Sequence, residues 1–340
     1  MMKKIAVLGA GSWGTALSMV LEENGHDVHL YSNDAQQVKE INEQHTNGQF
    51  LKEVQLSPRI HASDQLQEVV QDATVILFVL PTKAIRPVAK EVAQYMTGHP
   101  IIVHASKGLE QGTHLRISEI LAAELVDTSY QDIVVLSGPS HAEEVAVRDI
   151  TTISAASETL EVAETVQHLF NNDYFRVYTL TDVVGVEIGA ATKNIIAVAA
   201  GILAGLKYGD NAKAALMTRG LAEMNRFGQS FGANPMTFIG LTGVGDLIVT
   251  CTSVHSRNWR AGYQLGQGRP LDAVLNDMGM VVEGVATTKA VYELAQEKGI
   301  ELPITNALYG VLYEGQSIKP SIDQLMNRLP KAEMQEQLNR

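Results

Sequence analysis

The stretch that decides the fold is residues 4–31, KIAVLGAGSWGTALSMVLEENGHDVHLY. It opens with an apolar run rich in branched side chains, Lys4–Leu8, which predicts a short buried strand. The next segments predict a helix over Thr15–Asn24 and a second strand over Asp27–Tyr31. A strand, a glycine-rich turn, a helix and a strand within about 30 residues are the context that a dinucleotide-binding site requires.

Three glycines in this stretch have separate expected roles. Gly9 permits the tight turn, Gly11 lets the backbone approach a pyrophosphate, and Gly14 lets the helix pack on the strand. The pyrophosphate would lie at the positive N-terminal end of the helix. Because the G-x-G-x-x-G pattern stands between a strand and a helix, we interpret it as a nucleotide site rather than as a chance turn.

The residues after the second strand bear on the choice of dinucleotide. An acidic residue about 20 positions after the glycines holds the ribose of NAD in such sites, and an arginine nearby accommodates the 2′-phosphate of NADP. Asp34 has about this separation but falls a few residues late, and no arginine stands in Ser32–Asp34. The sequence therefore leaves NAD and NADP open.

The rest of the first half alternates strands with helices. Residues 35–56 are expected to form a polar helix and a loop exposed to solvent. The alternation predicts an α/β fold with a doubly wound, mostly parallel Rossmann sheet, in which ligands bind beyond the carboxyl ends of the strands. The further predicted strands are Ile60–Ala62, Thr74–Leu80, Pro100–Ala105, Asp132–Leu136, Thr151–Ala156 and Phe175–Tyr178.

Four loops follow predicted strands at this carboxyl edge: Gly9–Gly14, Leu80–Pro81, Ser106–Gly108 and Gly138–Ala142. Lys107 lies in the third of them, immediately before a glycine. An exposed loop lysine without a function is common, whereas a lysine at the expected nicotinamide position would contact a substrate. Position alone leaves both interpretations open.

The second half of the chain reads as helices with few strand-like segments. We therefore expect two domains, a dinucleotide-binding Rossmann domain over residues 1–180 and an all-α substrate domain over residues 181–340. The predicted helices are Asp182–Leu206, Ala212–Gly228, Asp246–Ser253, Trp259–Gln267, Pro270–Met278, Thr287–Lys298, Pro303–Tyr313 and Ile318–Arg328.

The first of these helices, Asp182–Leu206, is apolar and rich in glycine and alanine but contains Glu187, Lys193 and Asn194. Its length suits a membrane span, but charges near its middle each cost several kcal/mol in hydrocarbon. We expect a helix through the core of a soluble protein. Burial would lower the pKa of Lys193 and prepare it as a general base. In the alternative, Lys193 reaches the surface or pairs with a carboxylate.

A second conspicuous segment is residues 240–260, GLTGVGDLIVTCTSVHSRNWR. Asp246 and Thr250 are four residues apart, so they share one face of the predicted helix. Arg257 and Asn258, with the loop N–H groups beside Ser256, suit a phosphate. In the alternative, Asp246 only caps its helix and Arg257 is a solvated surface charge.

The composition limits the partners. The formal net charge of −12 over 340 residues argues against nucleic acid and anionic membranes, since both require a basic surface. An anionic substrate would need a local cluster of lysine and arginine. The one cysteine, Cys251, excludes an intrachain disulfide and suits a reducing cytoplasm. No motif calls for a metal ion.

An alcohol dehydrogenase needs a nicotinamide, a base at the hydroxyl and donors for the charged end of its substrate. Lys193, Asp246 and Arg257-Asn258 supply the last two. At this point the chain resembles bacterial NAD(P)-dependent glycerol-3-phosphate dehydrogenase over essentially its whole length. The matching motifs are GAGSWGTALS at 9–18, ASKGLE at 105–110, LSGPSHAEEV at 136–145, GAATKNIIAVAAG at 189–201, LTGVGDLIVTC at 241–251, HSRN at 255–258 and VVEGVATT at 281–288.

The resemblance implies reversible hydride transfer between sn-glycerol 3-phosphate and dihydroxyacetone phosphate with NAD or NADP, supplying phospholipid synthesis. It implies a helical domain of the 6-phosphogluconate-dehydrogenase-like type and Lys193 as proton acceptor, with Asp246 and Lys107 as catalytic partners. The implied substrate contacts are Lys107, Gly138, Ser140, Lys193, Asn194, Asp246, Thr250, Ser256, Arg257 and Asn258. The implied cofactor contacts are Gly9, Gly11, Ser12, Trp13, Gly14, Asn33, Lys107, Ala142, Arg257, Val281 and Glu283.

Members of this family often carry a basic residue or histidine after the second strand, where this chain has Asn33-Asp34. Two other functions stay open. A related two-domain dehydrogenase acting on a non-phosphorylated hydroxy acid would not need Arg257-Asn258 beside Ser256. A non-enzymatic dinucleotide sensor would not need a buried lysine. The family resemblance also implies a homodimer, and we expect a cytoplasmic location.

Overall fold

The computed structural model describes residues 2–52, 54–279, 281–330 and 333. Within these residues the first half forms one eight-stranded sheet. Its strands are four to six residues long. They are β1 Lys4–Leu8, β2 Asp27–Tyr31, β3 Ile60–Ser63, β4 Val75–Phe78, β5 Ile101–His104, β6 Ile133–Ser137, β7 Thr151–Ala156 and β8 Phe175–Leu180.

The strand order is β3-β2-β1-β4-β5-β6-β7-β8. Every neighbouring pair is parallel except β6 and β7, which are antiparallel. Alternate side chains of the central strands enter two separate apolar clusters, one containing Val7 and Leu77, the other Leu8 and Phe78. The sheet is therefore covered on both faces, and the predicted doubly wound, mostly parallel architecture is confirmed.

Helices connect the strands and make up the second half of the described chain. In the first half these are α1 Ser12–Glu23, α2 Ala35–Lys39, α3 Leu66–Val70, α4 Thr82–Tyr95, α5 Ile117–Glu124, α6 Ala142–Ala146 and α7 Leu160–Phe170. The second half contains α8 Val183–Gly205, α9 Asp210–Gln229, α10 Asp246–Thr252, α11 Arg257–Gly266, α12 Leu271–Met278, α13 Glu283–Lys298, α14 Pro303–Tyr313 and α15 Ile318–Met326.

Helix α8 lies at the centre of the helical half. The Asp182 carboxylate caps its start by accepting from Gly185 N at 2.9 Å. Its glycines allow backbone-to-backbone packing on α11, since a Cβ on Gly201 would stand 2.0 Å from the Trp259 carbonyl oxygen. The helix is long and apolar enough to cross a membrane, but 78% of its apolar window is buried inside the protein. A core helix of a soluble protein has the same composition.

The expectation that residues 35–56 are solvated is correct for only part of the segment, because several of its residues are buried. Gln37 and Asn47 are buried, and both donate to the Ala10 carbonyl oxygen, at 2.7 and 2.9 Å. Ser12 Oγ donates to the carbonyl oxygen of Phe50 at 2.8 Å. A hydrophobicity pattern does not predict the burial of such polar residues, because hydrogen bonds satisfy their polar groups inside the protein. They brace the glycine-rich turn from outside.

Four helices begin earlier than predicted: α1 at Ser12 instead of Thr15, α9 at Asp210 instead of Ala212, α11 at Arg257 instead of Trp259, and α13 by the largest margin. Helix α13 begins at Glu283, four residues before the predicted Thr287. A contact from α11 supports this early start: Asn258 Oδ1 accepts a hydrogen bond from Gly284 N, in the first turn of α13, at 2.8 Å. The short helix α6 was not predicted; it follows the turn after β6.

Candidate active site

The glycine-rich turn has the geometry of a dinucleotide cradle. Gly9 has φ +116°, a conformation that favours glycine, and a Cβ on Gly14 would stand 1.9 Å from the Gly9 carbonyl oxygen. A Cβ on Gly11 would meet no atom within 4 Å, so Gly11 faces open space at the start of α1. The first and third glycines therefore close the turn, and the second leaves room for a ligand beside the helix N-terminus. Trp13 packs against the apolar cluster behind this turn.

Two lysines and one aspartate meet beyond the end of β5. Lys193 of α8 and Asp246, the first residue of α10, are 4% and 1% exposed. Lys193 Nζ donates to Asp246 Oδ1, and Lys107 Nζ donates to the other carboxylate oxygen, Oδ2, at 3.0 Å. One buried carboxylate is thus shared by two lysines that are 86 residues apart in sequence.

Thr250 completes this cluster from the next turn of α10. Its Oγ1 accepts from Lys193 Nζ at 2.8 Å and donates to the Asp246 carbonyl oxygen at 2.6 Å. The predicted shared face of Asp246 and Thr250 is present. Because the hydroxyl proton is committed to the backbone, the oxygen lone pair points at the lysine and fixes its orientation.

Burial lowers the pKa of Lys193 to about 7, although Asp246 acts in the opposite direction. The positive charge of Lys107 lowers it further. For Asp246, burial alone would raise the pKa of the carboxyl, but the charges of Lys107 and Lys193 outweigh it and lower the pKa. The cluster therefore combines a firmly ionised carboxylate with an amine that loses its proton near neutrality.

The turn before α10 is closely packed against its neighbours. Residues Leu241–Gly245 form one π-helical turn, and a Cβ on Gly243 would stand 1.9 Å from the Phe238 carbonyl oxygen. On the other side, a Cβ on Gly245 would be 3.7 Å from Pro139 Cγ, so the turn touches the loop after β6. The alternative that Asp246 only caps its helix is wrong, because its carboxylate binds two lysines.

Apart from Asn33 and the glycine-rich turn, the other predicted residues lie in two groups, one on the loop after β6 and on α8, the other at the starts of α11 and α13. Gly138 has φ +152° and lies against Ile153, and Ser140 Oγ donates to the Gly138 carbonyl oxygen at 3.0 Å. Ala142 begins α6, directly after this turn. Asn194 is buried beside Lys193, with only a 3.5 Å contact from its Nδ2 to the Ala190 carbonyl oxygen.

The second group lies at the starts of α11 and α13. Ser256 Oγ caps α11 by accepting from Trp259 N at 3.2 Å. Arg257 is exposed and makes no ion pair with any described residue. The Glu283 carboxylate accepts from Thr82 N and Thr82 Oγ1, both at 3.3 Å, which joins α13 to α4. Val281 is exposed before α13, and Asn33 is exposed after β2, away from the lysine cluster.

Comparisons with known proteins identify the family of this chain. Residues 4–163 match the model of the NAD-dependent glycerol-3-phosphate dehydrogenase N-terminus, and residues 182–323 match that of its C-terminus. The glycerol-3-phosphate dehydrogenase [NAD(P)+] of Enterococcus faecalis is 62% identical over 333 residues, which cover 98% of each chain. The chain belongs to the NAD-dependent glycerol-3-phosphate dehydrogenase family.

Two further relatives agree with this membership. The glycerol-3-phosphate dehydrogenase [NAD(P)+] of Lactiplantibacillus plantarum is 61% identical over 338 residues, covering 98% of this chain and all of the relative. The crystal structure of glycerol-3-phosphate dehydrogenase from Coxiella burnetii superposes with a TM-score of 0.91 at 37% identity, over 96% of this chain and 99% of that one. The chain thus spans the length of its family relatives.

Some residues close to the lysine cluster have a structural role that the sequence pattern does not indicate. Glu187, on α8, is buried and accepts from Arg116 Nη1 at 2.5 Å, from Ser118 N at 2.8 Å and from Ser118 Oγ at 2.6 Å. His104, at the end of β5, lies 3.2 Å from the same carboxylate. The network ties the Lys193 helix to the strand that precedes Lys107. The only sign of this network in the sequence is a glutamate within an apolar helix.

His141 also lies near the site. Burial lowers the pKa of its imidazole; Glu144 opposes this shift, and the charge of Lys193 adds to it. Its ring packs against His255 with centroids 5.7 Å apart. Among the described residues, no group of three or more His, Cys, Asp or Glu side chains is placed to hold a metal ion.

Proposed function

We propose that the chain interconverts sn-glycerol 3-phosphate and dihydroxyacetone phosphate by hydride transfer with NAD or NADP, and that Lys193 is the proton acceptor. The observation that carries this proposal is the buried Lys193 amine held by Asp246 and Thr250. Family membership supports the substrate, since the relatives are named for glycerol 3-phosphate. The product would feed phospholipid synthesis.

The residues at the glycine-rich turn fit a dinucleotide. Gly11 leaves the space that a pyrophosphate needs, at the N-terminus of the twelve-residue helix α1. Ser12, Trp13 and Gly14 belong to the first turn of that helix, so their N–H groups are available to phosphate oxygens. Ala142, Val281 and Glu283 would border the nicotinamide end, with Asn33 at the adenosine end. When bound, the nicotinamide supplies the acceptor for the hydride.

Lys193 performs the proton transfer in this proposal. As the C2–H bond of glycerol 3-phosphate breaks and its electron pair leaves as hydride, the lone pair of the Lys193 amine takes the C2 hydroxyl proton, and the C2–O bond becomes a carbonyl. In the reverse direction the ammonium returns the proton to the carbonyl oxygen. An amine with a pKa near 7 serves both directions at neutral pH.

Asp246 and Lys107 set the charge of this base. The Asp246 carboxylate stabilises the ammonium that forms, and the Lys107 charge prevents the carboxylate from keeping Lys193 protonated at all times. Lys107 is more exposed than Lys193, which leaves its remaining N–H groups available to a substrate oxygen. Gly138, Ser140 and Asn194 would line the same space.

The substrate phosphate would lie at the start of α11. Arg257 is free of described ion pairs, and Asn258 uses its Oδ1 for Gly284 while its Nδ2 makes no hydrogen bond with a described residue. A guanidinium, an amide N–H and the N-terminus of the ten-residue helix α11 beside Ser256 together suit a phosphate dianion. This group argues against a non-phosphorylated hydroxy acid as substrate.

The test is an assay of NADH and NADPH absorbance with dihydroxyacetone phosphate and, as the matched control, dihydroxyacetone. We expect turnover only with the phosphate, and we expect Arg257→Ala to raise the KM by about 100-fold. Equal turnover of both ketones would contradict recognition of the substrate through its phosphate. Dinucleotide binding without turnover of any ketone would favour the sensor.

Three aspects of organisation belong to the same proposal. The chain would work as a dinucleotide domain over residues 1–180 and a substrate domain over residues 181–340, of which 280, 331–332 and 334–340 lie outside the described residues. It would be a cytoplasmic enzyme without a membrane span or a metal ion. The family resemblance supports a homodimer, which sedimentation velocity would test.

A further inference from the structure

The imidazole of His141 has a ring nitrogen that the fold does not use. His141 lies in the loop between β6 and α6, and its side chain is half-buried. Its Nε2 atom is buried and has no hydrogen-bond partner among the described residues. Because buried polar atoms in folded proteins are nearly always hydrogen-bonded, an unpartnered ring nitrogen beside the lysine cluster is available to exchange a proton.

This histidine lies close to Lys193. Its loop touches the turn before α10, since a Cβ on Gly245 would be 3.7 Å from Pro139 Cγ. Burial lowers the pKa of His141, Glu144 opposes this shift, and the charge of Lys193 lowers the pKa further. Positive charges on Lys193 and His141 therefore oppose each other, so the two groups hold one proton more readily than two.

His255 connects this ring to solvent. It is exposed in the loop between α10 and α11, and its ring centroid is 5.7 Å from that of His141. Glu143, on α6, opposes the effect of burial on the pKa of His141, as Glu144 does. The two histidines thus form a titratable path from the neighbourhood of Lys193 to the surface.

The contacts of Lys193 do not supply another path for its proton. Lys193 is 4% exposed, and its hydrogen-bond acceptors among the described residues are Asp246 and Thr250. The Asp246 carboxylate is firmly ionised, and Thr250 Oγ1 commits its proton to the Asp246 carbonyl oxygen, so neither group carries a proton onward. Each oxidation of glycerol 3-phosphate leaves one proton on the Lys193 amine, which must lose that proton before the next turnover.

We propose that His141 and His255 form a proton relay between Lys193 and solvent. The Lys193 ammonium breaks one N–H bond and gives the proton to His141 Nε2, directly or through a water molecule, and the ring becomes an imidazolium. The imidazolium then loses its Nδ1 proton to His255 or to water, and exchange with solvent restores the starting tautomer. In ketone reduction the same steps run in reverse. This inference rests on the proposed function, in which Lys193 takes the C2 hydroxyl proton.

The experiment follows the first turnovers of glycerol 3-phosphate oxidation by the full chain in a stopped-flow instrument, in weak buffer with a pH indicator. The absorbance of the reduced nucleotide reports hydride transfer, and the indicator reports the proton that reaches solvent. The solution is held at about pH 8, where the Lys193 amine, with a pKa of about 7, is mostly neutral. For the wild type we expect the two signals to rise together.

In His141→Gln the two signals should separate. Hydride transfer in the first turnover should stay within about threefold of wild type, because Lys193 is intact, whereas proton release and kcat should slow by about tenfold or more. Added imidazole should restore kcat in proportion to its concentration, because free imidazole can carry the proton, and a packing role for His141 would not respond in this way. His255→Gln should slow proton release less than His141→Gln, since water can also receive the proton from His141. His168→Gln, which replaces an exposed histidine of α7, is the matched control and should behave as the wild type.

The outcomes separate the relay from the proposed function. Proton release that stays in step with nucleotide reduction at the wild-type rate in His141→Gln would overturn the relay alone. Hydride transfer slowed as much as proton release, without a response to imidazole, would also overturn the relay alone. A wild type that reduces neither NAD nor NADP with glycerol 3-phosphate would overturn the proposed function and the relay together.

Discussion

Replacing Lys107 by methionine tests how the site sets the pKa of Lys193. The two lysines donate to opposite oxygens of the Asp246 carboxylate. That arrangement places their ammonium groups roughly 5 Å apart, where two unit charges at an effective dielectric constant of about 20 repel by about 3 kcal/mol, or about 2 pKa units. Because the Lys107 side chain is 20% exposed, solvent screening reduces this, and we expect about 1 to 2 units.

The direction of the shift follows from charge. Lys107 lowers the pKa of Lys193, so its removal raises that pKa. Lys193 must be neutral to accept a proton, so kcat/KM for glycerol 3-phosphate oxidation should rise with pH through about 7 in the wild type. In Lys107→Met the same rise should occur about 1 to 2 pH units higher, whatever happens to the plateau.

The measurement is a pH profile of kcat/KM in the oxidative direction. Lys319→Met, which removes an exposed lysine of α15, is the control for loss of one positive charge and should keep the wild-type profile. A profile for Lys107→Met that rises at the wild-type pH, or at a lower pH, would refute the electrostatic role assigned to Lys107.

Three other predictions concern the surroundings of the base and the cradle. Thr250→Val removes the oxygen that accepts from Lys193, so kcat in initial-rate assays should fall about tenfold with the dinucleotide Kd unchanged; a wild-type kcat would contradict this. Glu187→Gln should lower the free energy of unfolding at pH 7 by about 2 kcal/mol. Burial alone would raise the pKa of Glu187, but His104, the Arg116 charge and the hydrogen bond from Ser118 outweigh burial and hold that pKa below its usual range. Its contribution is therefore complete above the usual pKa of a glutamate and is lost as pH falls through the lowered folded pKa. Denaturant titrations should show the difference from wild type vanishing in acid rather than staying constant. Gly11→Ala should keep the wild-type Tm but weaken dinucleotide binding about tenfold or more, because its methyl group enters the open space in front of the turn. Gly14→Ala should lower the Tm, because its methyl group meets the Gly9 carbonyl oxygen. The reverse pattern would contradict the cradle geometry.

Local pattern was enough to predict the parts of the site that each depend on one segment. The glycine spacing predicted the cradle, because backbone conformation and close packing at a turn leave few residue choices. Lys193 stood out because a lysine within an apolar helix has an unfavourable environment unless it has a partner. The strand alternation predicted the sheet and hence the edge at which Lys107 lies.

What the sequence did not provide depends on hydrogen bonds between distant residues. Lys107 and Asp246 are 139 positions apart, and nothing near either residue indicates that one carboxylate serves two lysines. The sequence pattern places Gln37 and Asn47 in solvent, where polar side chains normally lie, yet both brace the cradle. Buried polar networks of this kind carry no hydrophobic period, so they become visible only when the chain is folded.

The central claim is that the Lys193 amine accepts the substrate proton, and Lys193→Ala tests it most directly. Turnover of glycerol 3-phosphate should fall by about 10³-fold or more, while the dinucleotide Kd stays within about threefold of wild type. Added methylamine, which can occupy the vacated space, should restore part of the rate in proportion to its neutral form. A variant that turns over glycerol 3-phosphate at the wild-type rate, with its pH profile unchanged, would contradict the claim.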